Sequence, residues 1–397
     1  MTFYSKILIK KLFVLVLICI HFNLFSQTRN DFTMSLDNKL REYIVVKPSG
    51  PTPPDGYPVV FMFHGTSRSG EEFYNISKKK KKGQQDKFIT VFPTSLKYCI
   101  LNFPNNNPVF LTRWHTGDLV NDQCPNLNQD FKDDVKFVRS IVDSIKTKFV
   151  INTRKVFAAG FSNGCSFTHK LALEASDIFS ACAGVGSILF PSDSVKAVRS
   201  IPFWNIIGTE DERFTSSLGL SSLPFNDSLL LYMNGYINRT TNCLNLRNEY
   251  TKASTQNSIT YTYSKSFNNN NQGSFQLSFI KNMPHIYPNG INVPFSATTL
   301  FWDFFKQTTL TSDTEKLQGT NIKIYPNPVN KELNISSSAP INTILIYGID
   351  GKFIHQIKSI NTDSINMEVS NFKNGIYLFQ IQTIYGVITS KVLVKSD

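Results

Sequence analysis

The pentapeptide Gly160-Phe161-Ser162-Asn163-Gly164 sets a hydroxyl between two glycines, directly after the apolar run "KVFAA" and ahead of "CSFTHKLALEA". A serine at such a strand-to-helix turn is pushed out of the sheet, and the glycines let strand and helix close in behind it. The chemistry this placement serves is nucleophilic attack on a carbonyl. That reaction needs a base for the hydroxyl proton, an acid to orient the base, and N–H donors for the oxyanion. The Asn163 N–H, at a helix N-terminus, is one such donor.

Elimination picks the base from six histidines. His21 belongs to the N-terminal export segment and His355 to the C-terminal region. His169 is two turns along the helix and faces away from its start. His64 and His115 precede the serine, whereas enzymes built on this turn run serine, acid, histidine. His285 remains, in "KNMPHIYPNG", after the strand-like "SFQLSFI" and before "SATTLFWDFFKQ". The acid is expected just past "IPFWNIIGT": Asp211 first, Glu210 second. The other oxyanion donor is expected at the Thr66 N–H, after "FMFHG", with His64 a hydrogen-bonding structural residue. Trp114 and His115, in "RWHTGDLVNDQC", are the candidates for the edge of a substrate cleft, a packed Trp beside a polar loop being the alternative reading.

These groups need a frame that brings distant segments together. "YPVVFMFHG" is a continuous apolar run of the kind a buried parallel strand shows, and "FITVFPT" reads as the next strand. Phe131, Val135, Val138, Val142, Ile145 and Phe149 recur at helical spacing, with Asp130, Asp133 and Asp134 in the first turn, where negative charge suits the dipole. Strand-like "KVFAA", "FSACAGVG" and "IPFWNIIGT" follow in alternation with helices. The pattern predicts an α/β fold, a mostly parallel sheet with helices on both faces and ligands at the carboxyl ends of its strands.

The flanks differ from this frame. Residues 1–26 carry Lys6, Lys10 and Lys11 before the apolar stretch Leu12 to Ile20, and read as an export signal too short to span a bilayer. No later segment reaches transmembrane length. The formal charge of +12 includes those three lysines and a run from Lys78 to Lys82, which reads as a solvated helix end or loop; no nucleic-acid site is expected. Five cysteines lie beyond the signal. Cys165 and Cys182 read as small buried residues, and a bridge among Cys99, Cys124 and Cys243 stays open. With no CxxC pair, no metal site is expected. Residues 308–320 read as a linker after a catalytic region at 27–307. From 321 to 397, strand alternation and turns at Asp350-Gly351 and Asn374-Gly375 predict a small antiparallel β-sandwich.

Two resemblances add to this reading. "YPNPVNKELNI", "IYGIDGK", "NGIYLFQI" and "KVLVK" resemble the C-terminal sorting domain (type A) of the type IX secretion system of Bacteroidetes. This implies export through the periplasm to the extracellular space or outer-membrane surface, with that machinery as partner. "FHG" at 63–65, "DDVKFV" at 133–138, "TRKVFAAGFSNGCSFTHKLA" at 153–172, "IIGTEDE" at 206–212 and "MPHIYP" at 283–288 resemble the α/β-hydrolase esterases grouped with poly(3-hydroxybutyrate) depolymerases and feruloyl or acetylxylan esterases. That resemblance covers roughly residues 35 to 307. It implies Ser162, Asp211 and His285 as a triad. Met283, Pro284 and Tyr287 depart from the family's loop and are expected to line the acyl or alcohol pocket. The resulting expectation is a secreted serine carboxylic-ester hydrolase acting on polymer-linked esters, without a cofactor. A serine peptidase of the same fold and a non-catalytic carbohydrate-binding protein are the alternatives.

Overall fold

The computed structural model describes residues 27–77, 79–102, 107–117, 119–192, 194–265, 273–308, 322–349, 352–383 and 386–395. The export segment, the linker apart from Thr308, and the Asp350-Gly351 turn lie outside these residues. The chain divides into one unit ending at Leu310 and another beginning at Thr311.

The first unit is built on a ten-stranded sheet. In chain order its strands are β1 (Thr28–Leu36), β2 (Lys39–Lys47), β3 (Tyr57–Phe63) and β4 (Ile89–Pro93). A separate hairpin, β5 (Lys97–Asn102) and β6 (Asn107–Thr112), intervenes. The sheet resumes with β7 (Ile151–Phe161), β8 (Ala181–Val185), β9 (Phe203–Gly208), β10 (Tyr250–Ser254), β11 (Ser258–Ser264) and β12 (Ser274–Ile280). Their order is β1-β2-β4-β3-β7-β8-β9-β12-β11-β10. The run from β4 to β12 is parallel, and both flanks are antiparallel.

The helices are α1 (Gly70–Ile76), α2 (Lys79–Asp86), α3 (Leu119–Asp122), α4 (Asp134–Lys148), α5 (Asn163–Glu174), α6 (Glu212–Thr215), α7 (Leu229–Cys243) and α8 (Ala297–Lys306). Successive strand residues face opposite sides, and each side has its own core. Phe61, Phe63, Val156 and Ala158 pack with residues of α4, α5 and α7, whereas Val60, Met62, Phe157 and Ala159 pack with Phe73 of α1 and Phe301 and Phe305 of α8.

Helix α4 starts later than its apolar spacing suggests. Asp133 caps it, its carboxylate accepting from the Val135 and Lys136 N–H groups at 2.8 and 3.1 Å. Phe131 and Asp130 therefore precede the helix, and Phe131 packs in a satellite cluster beside Tyr98. Most of the lysine run falls in α2, where Lys82 pairs with Asp86 at 2.8 Å. Cys99 and Cys124 form a disulfide, closing the segment that contains β6 and α3, while Cys165, Cys182 and Cys243 are buried thiols.

The second unit comprises β13 (Ile322–Tyr325), β14 (Glu332–Gly348), β15 (Phe353–Glu368), β16 (Gly375–Thr383) and β17 (Gly386–Val394) in one antiparallel sheet. Its first half lets β14 pair β13 and its second half lets it pair β16, with register shifts between Ser336 and Thr343. A bridge from Val329 to Val394 brings the ends together. The expected sandwich is thus a single sheet nearly closed on itself, around Leu333, Ile344, Phe379 and Val392. Such bulges bend a strand and raise its twist, which lets one sheet enclose a core.

Candidate active site

Crowding makes the turn at Ser162. A Cβ on Gly160 would lie 2.2 Å from the Gly164 carbonyl oxygen, and one on Gly164 would lie 2.1 Å from that of Phe63. Only hydrogen fits at either position, so β7, α5 and the end of β3 meet backbone to backbone. Ser162 itself adopts φ 52°, ψ −126°, outside the regions a side chain prefers. Such a residue stores about 1–3 kcal/mol, held here by its surroundings. Its N–H donates to the Val185 carbonyl at 2.8 Å, which ties the turn to β8.

Ser162, His285 and Asp211, far apart in sequence, come together at the carboxyl end of the sheet. His285 Nε2 is 3.0 Å from Ser162 Oγ, and Nδ1 is 2.9 and 3.0 Å from the two Asp211 oxygens. A carboxylate only accepts, so Nδ1 carries the proton and Nε2 presents a lone pair to the hydroxyl. Asp211 is fully buried and N-caps α6, accepting from the Arg213 N–H at 3.0 Å. Its orientation is fixed from two sides. Glu210, the second choice for the acid, is exposed; Glu212 instead reaches the loop, accepting from the His285 N–H at 3.3 Å. The imidazole packs beside the Phe161 ring, 5.0 Å between centroids, and against Gly186.

The two expected oxyanion donors also lie at this end. No described group accepts the N–H of Thr66 or of Asn163. Gly65 abuts Ser162: a Cβ there would be 3.2 Å from that of the serine. His64 orients the next peptide. Its Nε2 accepts from the Ser95 N–H at 3.0 Å, so the proton sits on Nδ1, which donates to the Gly65 carbonyl at 2.7 Å. In a trans peptide C=O and N–H point oppositely; anchoring the Gly65 carbonyl therefore turns the Thr66 N–H away from His64. Burial pushes the His64 imidazole down to about 4, so it stays neutral in this role.

Other candidates fall elsewhere. Trp114 is fully buried, stacked on Phe167 at 5.0 Å, and does not edge a cleft. His115 is half-buried with its ring against Phe131, and its N–H donates to Asp134. Tyr287 is 5% and Met283 1% exposed, so both side chains are packed inside. Tyr287 Oη instead meets Thr298 Oγ1 at 3.1 Å. The Met283 carbonyl takes the space in front of Gly208, where a Cβ would be 1.9 Å away, and accepts from the Glu210 N–H at 3.1 Å. Pro284 is exposed. His169 is buried against Phe203 and Tyr236, away from Ser162.

Sequence reasoning missed the polar groups behind the site. Asp134 is wholly buried and bonded to Arg41 at 2.6 Å, although its position beside Asp133 read as ordinary first-turn charge. Asn205 donates to the Ser187 carbonyl and to Tyr236 Oη, at 2.9 and 2.8 Å, holding the loop after β8. A polar residue inside the apolar run "FWNII" was the available signal for that one. Among the described residues no cluster of His, Cys, Asp or Glu could hold a metal, and no helix is long and apolar enough to cross a membrane.

Residues 45–236 match the family described as Phospholipase/Carboxylesterase, and residues 323–395 match the Secretion system C-terminal sorting domain. Feruloyl esterase B of Piromyces equi is 24% identical over 187 residues, 46% of this chain and 31% of that protein. The bifunctional acetylxylan esterase/xylanase XynS20E of Neocallimastix patriciarum is 33% identical over 82 residues, 20% of this chain and 12% of that protein. The chain spans less than half the length of either relative. Among solved structures, the acetyl xylan esterase from Aspergillus awamori superposes with a TM-score of 0.46 at 14% identity, covering 70% of this chain and 99% of that one. The first unit thus has an α/β-hydrolase fold that is similar over residues 45–236 to the carboxylesterase family, and the second is similar over residues 323–395 to a secretion-system C-terminal sorting domain.

Proposed function

We propose that the protein is a secreted serine carboxylic-ester hydrolase. The observation that carries this reading is the unbroken line from the Asp211 carboxylate through His285 to Ser162 Oγ, with links of 2.9 and 3.0 Å. Ser162 attacks the ester carbonyl while His285 Nε2 takes its proton. The N–H groups of Thr66 and Asn163 hold the oxyanion. Asp211 keeps the imidazole in the reactive tautomer and stabilises the imidazolium. The alcohol leaves with the proton from His285, and water then releases the acid by the same sequence. Carboxylic esters bound to polysaccharide, acetyl or feruloyl, are favoured over polyesters such as poly(3-hydroxybutyrate), because the relatives named above are feruloyl and acetylxylan esterases. The sorting domain supports delivery through the type IX secretion system to the extracellular space or the outer-membrane surface.

The test compares the full chain with its Ser162→Ala variant on p-nitrophenyl acetate, methyl ferulate, acetylated xylan and a poly(3-hydroxybutyrate) film. Loss of the nucleophile should lower kcat by about 10⁴-fold or more. Release of acetate or ferulate from a polysaccharide-type substrate, but not of hydroxybutyrate, is the expected selectivity. Hydrolysis that survives in Ser162→Ala overturns the assignment.

A further inference from the structure

The segment from Arg113 to Thr116 runs beneath the Ser162 turn, and Trp114 is its centre. The indole stacks on Phe167 of α5, 5.0 Å and 9° apart, and meets Phe63 of β3 edge-on at 5.2 Å. Its polar atoms reach the two places where the oxyanion donors lie. The Trp114 N–H donates to Asn163 Oδ1 at 2.6 Å, its carbonyl accepts from Asn163 Nδ2 at 3.2 Å, and the indole N–H donates to the His64 carbonyl at 2.9 Å. The next residue is anchored in turn. The His115 N–H donates to Asp134 Oδ2 at 2.7 Å, and Asp134 Oδ1 meets Arg41 at 2.6 Å, with both side chains at most 1% exposed.

Helix formation does not explain Asn163. Ser162 occupies the cap position and makes no side-chain cap bond, and asparagine is a poor residue for the helix body. Its carboxamide instead engages both polar groups of one backbone residue 49 positions earlier. Trp114 thus joins the helix start that presents the Asn163 N–H to the strand end that leads into the Thr66 N–H.

We propose that Trp114 is a positioning residue for the oxyanion hole: its hydrogen bonds to Asn163 and His64 hold the two donor N–H groups at a fixed separation before substrate arrives. This rests on the serine-hydrolase reading above. Donors fixed in advance stabilise developing charge without reorganising, and a displacement of about 1 Å forfeits much of that effect.

The experiment measures kcat and KM for p-nitrophenyl acetate, and the inhibition constant of phenylboronic acid, whose tetrahedral serine adduct places an oxygen where the oxyanion forms. The proteins are the full chain and its Trp114→Phe, Asn163→Ala, Asn163→Asp and Ser162→Ala variants. Trp114→Phe keeps a ring in the slot and removes the indole donor. We expect kcat to fall about 10-fold, below the 10²–10³-fold cost of deleting a donor outright, with KM within about twofold. The boronate constant should rise by the same factor. Asn163→Ala keeps its own N–H and should lose about 10- to 100-fold. Asn163→Asp retains the acceptor for Trp114 and should fall between wild type and alanine. If Trp114→Phe does not fold, the two Asn163 variants decide. Variants that lose melting temperature but keep wild-type kcat and boronate affinity overturn the proposal, and if Ser162→Ala is then inactive the serine reading still stands. Hydrolysis retained in Ser162→Ala removes that reading, and this inference with it.

Discussion

The Ser162 turn and the Arg113–Thr116 segment deliver groups to the same end of the sheet, yet they are held in opposite ways. The turn is shaped by missing atoms: hydrogens at 160 and 164 let three backbones touch, and the strained serine is tied down by main-chain bonds. The segment is shaped by polar atoms that are present: Asn163, His64 and Asp134 each spend a side chain or carbonyl on it, and Arg41 holds Asp134 from behind. One region should tolerate no added atom. The other should tolerate no lost partner.

The largest effect belongs to the turn. Gly164→Ala places a Cβ 2.1 Å from one backbone carbonyl oxygen and 2.6 Å from the next, those of Phe63 and His64. Neither is the end of a flexible side chain, so β3 and α5 must separate. Overpacking without relief costs several kcal/mol, and a fall in melting temperature of about 10 °C or more, or loss of folded protein, is expected by circular dichroism. A Gly164→Ala protein melting with wild type would end the claim that crowding shapes the turn.

The second effect tests the segment and separates stability from rate. Arg41→Met leaves Asp134 buried without its counter-charge, a loss of about 3–5 kcal/mol. Burial already raises the Asp134 carboxyl, with Arg41 and the His115 N–H pulling the other way. Combining Arg41→Met with Asp134→Leu removes both charges and should recover most of the stability in urea titrations. The His115 N–H still lacks its acceptor, so kcat should stay low in the double variant. If kcat returns with stability, the ion pair supports folding alone and the segment does not carry its position to the site.

The same contrast explains what was legible in the sequence. Glycine spacing, apolar runs and the order serine, acid, histidine are local patterns, and they led to β3, β7, α5 and the residues now found within 3.0 Å of one another, Ser162 and His285. A buried polar partner has no local pattern. Asp133 and Asp134 are adjacent and identical in type, but one caps a helix at the surface while the other meets Arg41 from 93 positions earlier. Trp114 beside polar residues left a cleft edge and a packed ring both open, because composition does not say which way a ring points; the structure has the packed ring. The cysteine pairing stayed open for the same reason: only the hairpin β5–β6 and the return of the chain after α3 bring Cys99 to Cys124. In the second unit, period and turns predicted antiparallel strands, but the bulges in β14 that close one sheet on itself carry no signature of their own.

The smallest effect distinguishes two buried histidines. His64, beside the site, has both ring nitrogens bonded, to the Ser95 N–H and the Gly65 carbonyl. His169, on α5, stacks on Phe203 at 4.6 Å and 18°, and neither ring nitrogen has a hydrogen-bond partner among the described residues. Burial pushes the first down to about 4 and the second to about 3, from an ordinary value of 6.5. The unfolded chain therefore binds protons below pH 6.5 that the folded one refuses. Stability is unaffected above that pH and falls as pH drops, by about 1.4 kcal/mol per unit for each group. In His169→Phe one of these contributions disappears without the loss of a hydrogen bond. Urea unfolding at pH 7.5 should show stability within about 1 kcal/mol of wild type, and at pH 5 the variant should gain about 2 kcal/mol relative to it. His64→Phe should instead be destabilised at both pH values, because the Ser95 N–H loses its acceptor and the Gly65 carbonyl its donor. Parallel pH slopes for wild type and His169→Phe would mean that His169 takes up its proton in the folded state, and that the two histidines are not held in different ways.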